Sequence, residues 1–439
     1  MKLLRSIFIL IFGNTNKNFS EKVIWSFALQ ILSTASVFLS NLVLTRVMDI
    51  SDYGVYSFAF SLATMLSTIA TSGFVNLLLR KCAEYTSAGK YEQMKGLLTW
   101  TNNRVLISNA VIVIIYWIIF YFFPVIPEEQ KMTVLIVSFA IPLSSAIIIY
   151  QSALNGAGHV IEWQIPEKIV KPVLIIVISA AYFFTCGQIS SVTGTIIHVL
   201  TFFVAVVFTF IYMKKKISPL TDKVAVVHEQ NEWLNSFYYF LILSVVAAVS
   251  SKINVLMLGF MERPPEEVAV FNIATRIAEA ISFSLLAVNI SLAPAISGLY
   301  SSGKKEELQQ LVFKYIRIAT LFALVLLVVF CFAGKYILLI FGEKYTPGYT
   351  ALIILSLGYF AGVIPGAAGY LLLMTGNEKP ALFAVIISTI INVVLCYCLI
   401  PLWGVNGAAI ASCICMIIWN VYMAVAAKMK TGINPTCIG

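Results

Sequence analysis

Residues 268–294 combine a length that suits a membrane span with charges that do not. The stretch is apolar over about 27 residues, and a helix rising 1.5 Å per residue would then cross a hydrocarbon layer of about 30 Å. Arg276 and Glu279 nevertheless lie well inside it. A charge at that depth costs about 3 kcal/mol on insertion scales, so such residues usually face a protein interior or a water-filled cavity.

The polar residues of this stretch fall on one face of the predicted helix. Arg276 and Glu279 are three positions apart, and Asn272 precedes Arg276 by four. Side chains at these spacings are neighbours on a helix surface. The spacing therefore predicts that the three residues form the wall of a polar cavity.

The rest of the chain is of the same kind, because 60% of its residues are hydrophobic and only 11% are charged. Soluble proteins carry roughly 25% charged residues. The apolar runs exceed 18 residues, whereas transmembrane β-strands are short and alternating. We therefore expect an all-α membrane protein. The net charge of +9 lies mostly in short loops, as the positive-inside rule requires, and does not indicate a nucleic-acid partner.

The hydropathy pattern predicts about twelve transmembrane helices. They cover residues 23–46, 53–79, 104–123, 132–154, 168–186, 190–213, 234–260, 268–296, 312–333, 347–374, 380–400 and 405–427. Most of the 29 lysines and arginines fall in loops on one side, which places both termini in the cytoplasm. The opening residues 1–13 have no clear cleavage site and predict an uncleaved interfacial segment.

The longest cytoplasmic connection divides the helices into six and six. We therefore expect an N-terminal six-helix lobe at 1–213, a cytoplasmic linker at 214–233 and a C-terminal six-helix lobe at 234–439. Short matches between the halves recur at nearly one offset and indicate an internal repeat. An even number of helices per repeat makes the repeats parallel, so the two lobes would enclose a central cleft.

Few ionisable residues fall within or at the ends of the predicted spans. They are Arg46, Arg80, Lys252, Arg276 and Glu279. Only the last is an acid, so the interior would be net positive and would suit an anionic ligand such as a phosphate or pyrophosphate.

Structural interpretations of the same residues stay open. Arg276 and Glu279 could simply pair with each other, and Arg46 and Arg80 could anchor helix ends at the interface. Lys252 could also reach the interface. Asparagines such as Asn41 and Asn254 could line a cavity or join helices by hydrogen bonds, and His198 could pack or carry a proton.

No motif indicates catalysis. The sequence contains no Walker A motif, no nucleophile constellation and no metal-ligand spacing, so neither an enzyme activity nor a cofactor is expected.

Several motifs along the chain resemble a known family. They are LTRVMDISDYGVYSFAF from Leu44, VFNIATRIAEA from Val270, FGEKY from Phe341 and LMTGNEKP from Leu373. Together they resemble bacterial polysaccharide flippases, the O-antigen and capsule repeat-unit transporters (Wzx type). These belong to the multidrug/oligosaccharidyl-lipid/polysaccharide exporter superfamily.

The resemblance implies two six-helix lobes around a central cationic cavity in the bacterial cytoplasmic membrane. It also implies transport of undecaprenyl-pyrophosphate-linked oligosaccharide to the outer leaflet by alternating access, next to a polysaccharide polymerase and a chain-length regulator. By position, Arg46, Arg80 and Arg276 would be cavity cations, with Glu279 beside Arg276. The chain departs from many relatives at Asn254, where they carry an acid, which puts ion coupling in doubt.

We therefore predict a polysaccharide repeat-unit flippase. Its substrate-binding residues would be Arg46, Arg80, Lys252, Arg276, Glu279, Asn41, Asn254 and Asn272. The alternatives are a lipid II flippase, a multidrug or cation antiporter of the same superfamily, and a non-transporting scaffold of polysaccharide assembly.

Overall fold

The computed structural model describes residues 17–122, 126–159, 161–222, 224–375 and 377–437. Helices dominate this part of the chain, and ten of them are long and apolar enough to cross a membrane. The predicted interfacial segment at 1–13 lies outside the described residues. The all-α membrane fold predicted from the sequence is confirmed.

The chain divides into two compact units, Met1–Ala248 and Val249–Gly439, which we call the N-terminal and C-terminal units. The N-terminal unit contains α1 (Lys17–Val47), α2 (Ile50–Thr71), α3 (Phe74–Ala88), α4 (Tyr91–Phe122), α5 (Glu128–Val137), α6 (Ala140–Gly156), α7 (Lys171–Cys186), α8 (Ser191–Lys216) and the first part of α9 (Gln230–Phe260). The predicted lobe bounds at residues 213 and 234 stay a prediction.

The C-terminal unit continues from the second part of α9. It contains α10 (Pro265–Ala278), α11 (Phe283–Ser301), α12 (Lys305–Phe341), α13 (Tyr349–Val363), α14 (Ala368–Met374) and α15 (Glu378–Thr431). A 3-10 turn at Glu279–Ser282 links α10 to α11, and a second one at Glu343–Gly348 precedes α13. The predicted helix 268–296 is therefore two helices that meet at Glu279.

The last helical segment reverses direction at Gly404. Its φ of 52° and ψ of −125° are non-helical, and a Cβ on Gly407 would collide with the Leu399 carbonyl oxygen. In a straight helix these two residues would be about 12 Å apart, so α15 is two arms folded back on each other. Among the described residues, counting both arms gives eleven apolar helices, and the shorter apolar helix Leu32–Val47 within α1 brings the number to twelve.

The α1–α2 turn is tied to the start of α8. The Asp49 side chain accepts a hydrogen bond from the Ser51 amide (3.3 Å), which caps α2. Asp52 accepts from the Ser191 amide (2.7 Å) at the first residue of α8, where a carboxylate also interacts well with the helix dipole. The acidic motif after Leu44 thus fixes two helices to each other.

A helix break separates α2 from α3. Gly73 has φ +83°, a left-handed conformation that glycine adopts without strain. The predicted helix 53–79 therefore ends at Thr71, and α3 begins beyond it with a buried apolar face. The break is marked in the sequence only by the short run Thr71-Ser72-Gly73 between two apolar stretches.

The N-terminal unit has an aromatic core where α3, α4 and the start of α9 meet. Its largest members are Trp100, Trp233, Tyr85 and Phe74, joined by Leu77, Leu78, Met94 and Leu97. Residues 224–229 lead into this core without helical structure. Lys95 Nζ donates to the Val224 carbonyl (2.9 Å), so this connecting segment is strapped onto α4.

α12 shows how the apolar exterior is arranged. Its inward face is buried at Val312, Ile316 and Ala323, whereas Leu321 and Phe322 on the opposite face are more than half exposed. Apolar residues on both faces are the pattern of a helix with protein on one side and lipid on the other.

Candidate functional site

Arg276 and Glu279 form an ion pair where α10 ends. The guanidinium Nη1 lies 3.3 Å from the Glu279 carboxylate, and the side chains are 40% and 36% exposed. Glu279 is the first residue of the 3-10 turn, so the helix ends beside the pair. The predicted proximity of these two residues is correct, and the pair is accessible rather than enclosed by packing.

A second cation and a phenol lie near this pair. Lys252 of α9 is partly buried and interacts electrostatically with both Arg276 and Glu279. Tyr359 of α13 interacts electrostatically with both Glu279 and Arg276. We call Lys252, Arg276, Glu279 and Tyr359 the cationic cluster. It contains two positive charges and one negative charge, so it carries an excess of one positive charge.

Asn272 and Asn254 have different surroundings. Asn272 is partly buried one turn before Arg276 on α10. The Asn254 side-chain oxygen Oδ1 accepts a hydrogen bond from Cys396 Sγ (3.0 Å), and the same Sγ lies 3.4 Å from Asn392 Oδ1. Asn254 thus joins α9 to the first arm of α15, as the helix-joining interpretation requires.

The remaining predicted residues belong to the N-terminal unit and do not form one cluster. Asn41 accepts a hydrogen bond from the Tyr53 hydroxyl (2.8 Å) and donates to the Val37 carbonyl (2.7 Å). Arg46 is exposed near the end of α1, and Arg80 is exposed on α3, beyond the break at Gly73. Their assignment to the substrate site stays a prediction.

Sequence reasoning treated His198 only as a lone residue. Its Nδ1 hydrogen-bonds the Tyr56 hydroxyl, and its ring stacks on Phe60 at 4.1 Å and on Phe202 at 5.1 Å between centroids. Lys171 Nζ lies 4.3 Å from the centre of the Phe202 ring. The i, i+4 spacings of Tyr56–Phe60 and His198–Phe202 were the available signal that these rings share a face.

A charged cluster at the aromatic core was also missed. Lys81 forms ion pairs with Glu84 (3.0 Å) and Glu232, and its side chain is 4% exposed. The Tyr85 hydroxyl donates to Glu229 (2.6 Å) and accepts from the Trp233 indole (2.9 Å). Burial, followed by the nearby Glu229 carboxylate, raises the pKa of Tyr85. We call Lys81, Glu84, Tyr85, Glu229 and Glu232 the strap cluster, because it fixes the start of α9 to α3.

A family model described as polysaccharide biosynthesis protein matches residues 19–300, and the chain belongs to that family. A second family model, MatE, matches residues 241–398. A comparison with curated proteins finds no match.

Solved structures of transporters share the fold across almost the whole chain. An inward-facing multidrug resistance MATE family transporter of the MOP superfamily aligns with a TM-score of 0.76 at 16% identity, covering 91% of this chain and 94% of the other. The lipid II flippase MurJ, in an inward closed conformation, aligns with a TM-score of 0.72 at 16% identity, covering 92% of this chain and 87% of the other. A mutant of the Vibrio cholerae MATE transporter VcmN aligns with a TM-score of 0.66 at 15% identity, covering 93% of this chain and 96% of the other. The chain thus shares the fold of these membrane proteins.

Proposed function

We propose that this protein flips undecaprenyl-pyrophosphate-linked oligosaccharide repeat units across the bacterial cytoplasmic membrane, for O-antigen, capsule or exopolysaccharide synthesis. The observation that carries the proposal is the match to the polysaccharide biosynthesis protein family over residues 19–300. The multi-span transporter fold supports movement across a membrane rather than catalysis.

The cationic cluster suits a pyrophosphate head group. Arg276 presents a planar fork of donors that matches phosphate oxygens, and Lys252 adds a second positive charge. Both would offset the cost of removing the phosphates from water. Glu279 would hold the Arg276 side chain in position and weaken the net attraction, so that the head group is released after crossing.

The other predicted residues would contact the head group or sugars less strongly. Arg46 and Arg80 would guide the anionic head group, and Asn41 and Asn272 would hydrogen-bond sugar hydroxyls. We expect Asn254 to contribute little to substrate binding, because its side-chain oxygen already accepts a hydrogen bond from Cys396. The polyprenyl chain would stay in the lipid while the head group crosses by alternating access. A membrane potential acting on each transferred charge is worth about 2.3 kcal/mol per 100 mV.

The decisive experiment asks which leaflet holds the lipid-linked oligosaccharide in a strain that lacks the gene. Spheroplasts are treated with a membrane-impermeant glycosidase, and the lipid-linked sugars are then extracted and sized. We expect complete repeat units that resist the enzyme and accumulate on the inner leaflet. Repeat units still cleaved on the outer leaflet, with polymer unchanged, would refute the proposal.

A lipid II flippase is the second candidate, favoured by the fold shared with MurJ. The same extraction separates the two functions, because that candidate predicts accumulation of a muropeptide-linked lipid. A multidrug or cation antiporter is less well supported. It needs an accessible acid in the membrane, and Glu279 is already paired with Arg276.

A further inference from the structure

A pocket in the N-terminal unit lies apart from the cationic cluster. Its volume is about 300 Å³, at the lower end of the range for small-molecule sites. It lies among α2, α4 and the first part of α9. The lining residues are Ile69, Ala70, Ser72, Phe74, Trp100, Arg104, Ile107, Ser108, Leu234, Phe237 and Leu241. Most are apolar, and Arg104 is the only charged one among them.

The position of this pocket along the membrane normal follows from the outward face of α4. From Leu106 to Phe122 that face is exposed and apolar, over about 25 Å at 1.5 Å per residue. This is close to the thickness of a hydrocarbon layer. Arg104 is the last charged residue before the apolar face begins, so its guanidinium lies at the depth of lipid head groups. Trp100, one turn earlier, is buried in the aromatic core and supports Arg104 from the protein side.

The polar groups at the rim are suited to an anion. The Arg104 guanidinium carbon lies 4.6 Å from the centre of the Trp100 ring. Stacking on a ring face leaves the edge N–H donors of a guanidinium available. Within the described residues no carboxylate pairs with Arg104. The Trp100 indole N–H is buried and finds no acceptor among those residues.

We propose that this pocket binds an anionic phospholipid from the adjacent leaflet. Its phosphate would contact Arg104, and one acyl chain would enter the apolar interior between α4 and α9. Charge complementarity selects the head group, and the pocket continues directly into the lipid-facing surface at Ile107, which is 64% exposed. Leu234 and Phe237 in the wall follow Trp233, so the bound lipid would contact the same segment of α9 that the strap cluster holds.

The test is a titration of the full-length protein in neutral detergent with phosphatidylglycerol and, in parallel, phosphatidylcholine, with bound lipid counted by native mass spectrometry. We expect phosphatidylglycerol to bind the wild type about tenfold more tightly than phosphatidylcholine. Arg104→Gln should remove most of this preference. Ser108→Phe, which fills the pocket from α4, should weaken the binding of both lipids by about tenfold while leaving Arg104 in place.

Arg317→Gln is the matched control. Its guanidinium carbon also lies over an aromatic ring, 3.9 Å from the Phe313 centroid, but it donates to the Cys437 carbonyl (3.5 Å) and lies outside the pocket. It should keep the wild-type preference. Equal binding of the two lipids by the wild type, unchanged binding in either pocket variant, or an equal loss in the control would each overturn the proposal. Tighter binding of undecaprenyl phosphate than phosphatidylglycerol, abolished by Arg104→Gln, would reject the phospholipid in favour of a polyprenyl lipid.

Discussion

The strap cluster and the cationic cluster differ in how completely their positive charges are compensated by carboxylates. Lys81 is 4% exposed and has two carboxylate partners. Arg276 is 40% exposed, has one carboxylate at 3.3 Å and has Lys252 as a neighbouring cation. The first arrangement compensates its positive charge fully, whereas the second leaves a positive charge accessible.

The energies of such pairs explain the difference in role. Removing one partner from a buried ion pair typically costs about 3–5 kcal/mol, because the other charge stays buried without compensation. An exposed pair contributes about 0–1 kcal/mol. We infer that the strap cluster stabilises the fold and that the cationic cluster contributes little to stability but can bind an anion.

Arg276→Ala should give the largest functional effect. We expect surface polysaccharide to fall by at least about tenfold, because the side chain proposed to bind the phosphate is lost, with unchanged amounts of protein in the membrane. Arg317→Ala, which removes an exposed arginine near the start of α12, serves as the control and should leave polymer unchanged. Normal polymer in Arg276→Ala would remove this residue from the mechanism.

Lys81→Met should give the largest effect on stability. The substitution keeps the apolar stem but leaves Glu84 and Glu232 without their cation. Both acids are partly exposed, so we expect a loss of about 2 kcal/mol, or about 2–4 °C in the melting temperature of the purified protein. Lys131→Met is the matched control, since Lys131 pairs with Glu128 (3.1 Å) at an exposed site. Equal shifts in the two variants would contradict the structural role of the strap cluster.

The contribution of the Lys81–Glu232 pair should depend on pH at both ends of the scale. The hydrogen bond from Lys81 lowers the pKa of Glu232. The stabilisation of the fold by ionised Glu232 is therefore complete above about pH 4.3 and is lost as the pH falls through the lowered pKa. Burial alone would lower the pKa of Lys81, but hydrogen bonds to Glu232 and Glu84 outweigh it and raise the pKa. That stabilisation is complete below about pH 10.4 and is lost as the pH rises through the raised value. The melting-temperature difference between wild type and Lys81→Met should therefore be constant between about pH 5 and 10. A difference that varies within this window would contradict the assignment.

Gly96→Ala should give a smaller effect on the same region. A Cβ at this position would collide with the Val227 carbonyl oxygen, so the connecting segment must move away from α4. We expect about 1–2 kcal/mol of destabilisation and faster proteolytic cleavage within residues 224–229. Gly298→Ala is the control, because a Cβ there meets open space. Cleavage as slow in Gly96→Ala as in the control would show that the segment is not fixed at this point.

The sequence predicted those features that depend on neighbouring residues. The apolar runs gave the helices, and the three-residue spacing of Arg276 and Glu279 correctly placed them together. Breaks inside apolar runs were missed at Gly73 and at Glu279–Ser282. Short polar signals stand at both positions, Thr71-Ser72-Gly73 and Glu279, but apolar residues on either side made each stretch look like one continuous helix.

Features that depend on distant residues could not be predicted. Lys81 looked like an ordinary loop charge, and its burial requires Glu232, which lies 151 positions later. Asn254 was open to a cavity-lining and a helix-joining interpretation, and its partner Cys396 lies 142 positions away. Arg104 looked like one of many positive charges near a membrane surface, until the pocket beside it was formed by helices from three parts of the chain.

The reversal at Gly404 limits what can be attached to this protein. The two arms of α15 are joined by a single non-helical residue, and even a Cβ there would lie 2.5 Å from the Glu267 carboxylate and 2.6 Å from the Arg263 guanidinium. An epitope, protease site or fluorescent reporter inserted at this turn would displace both side chains and push the arms apart. The turn therefore tolerates little added chain, and topology mapping should use other connections.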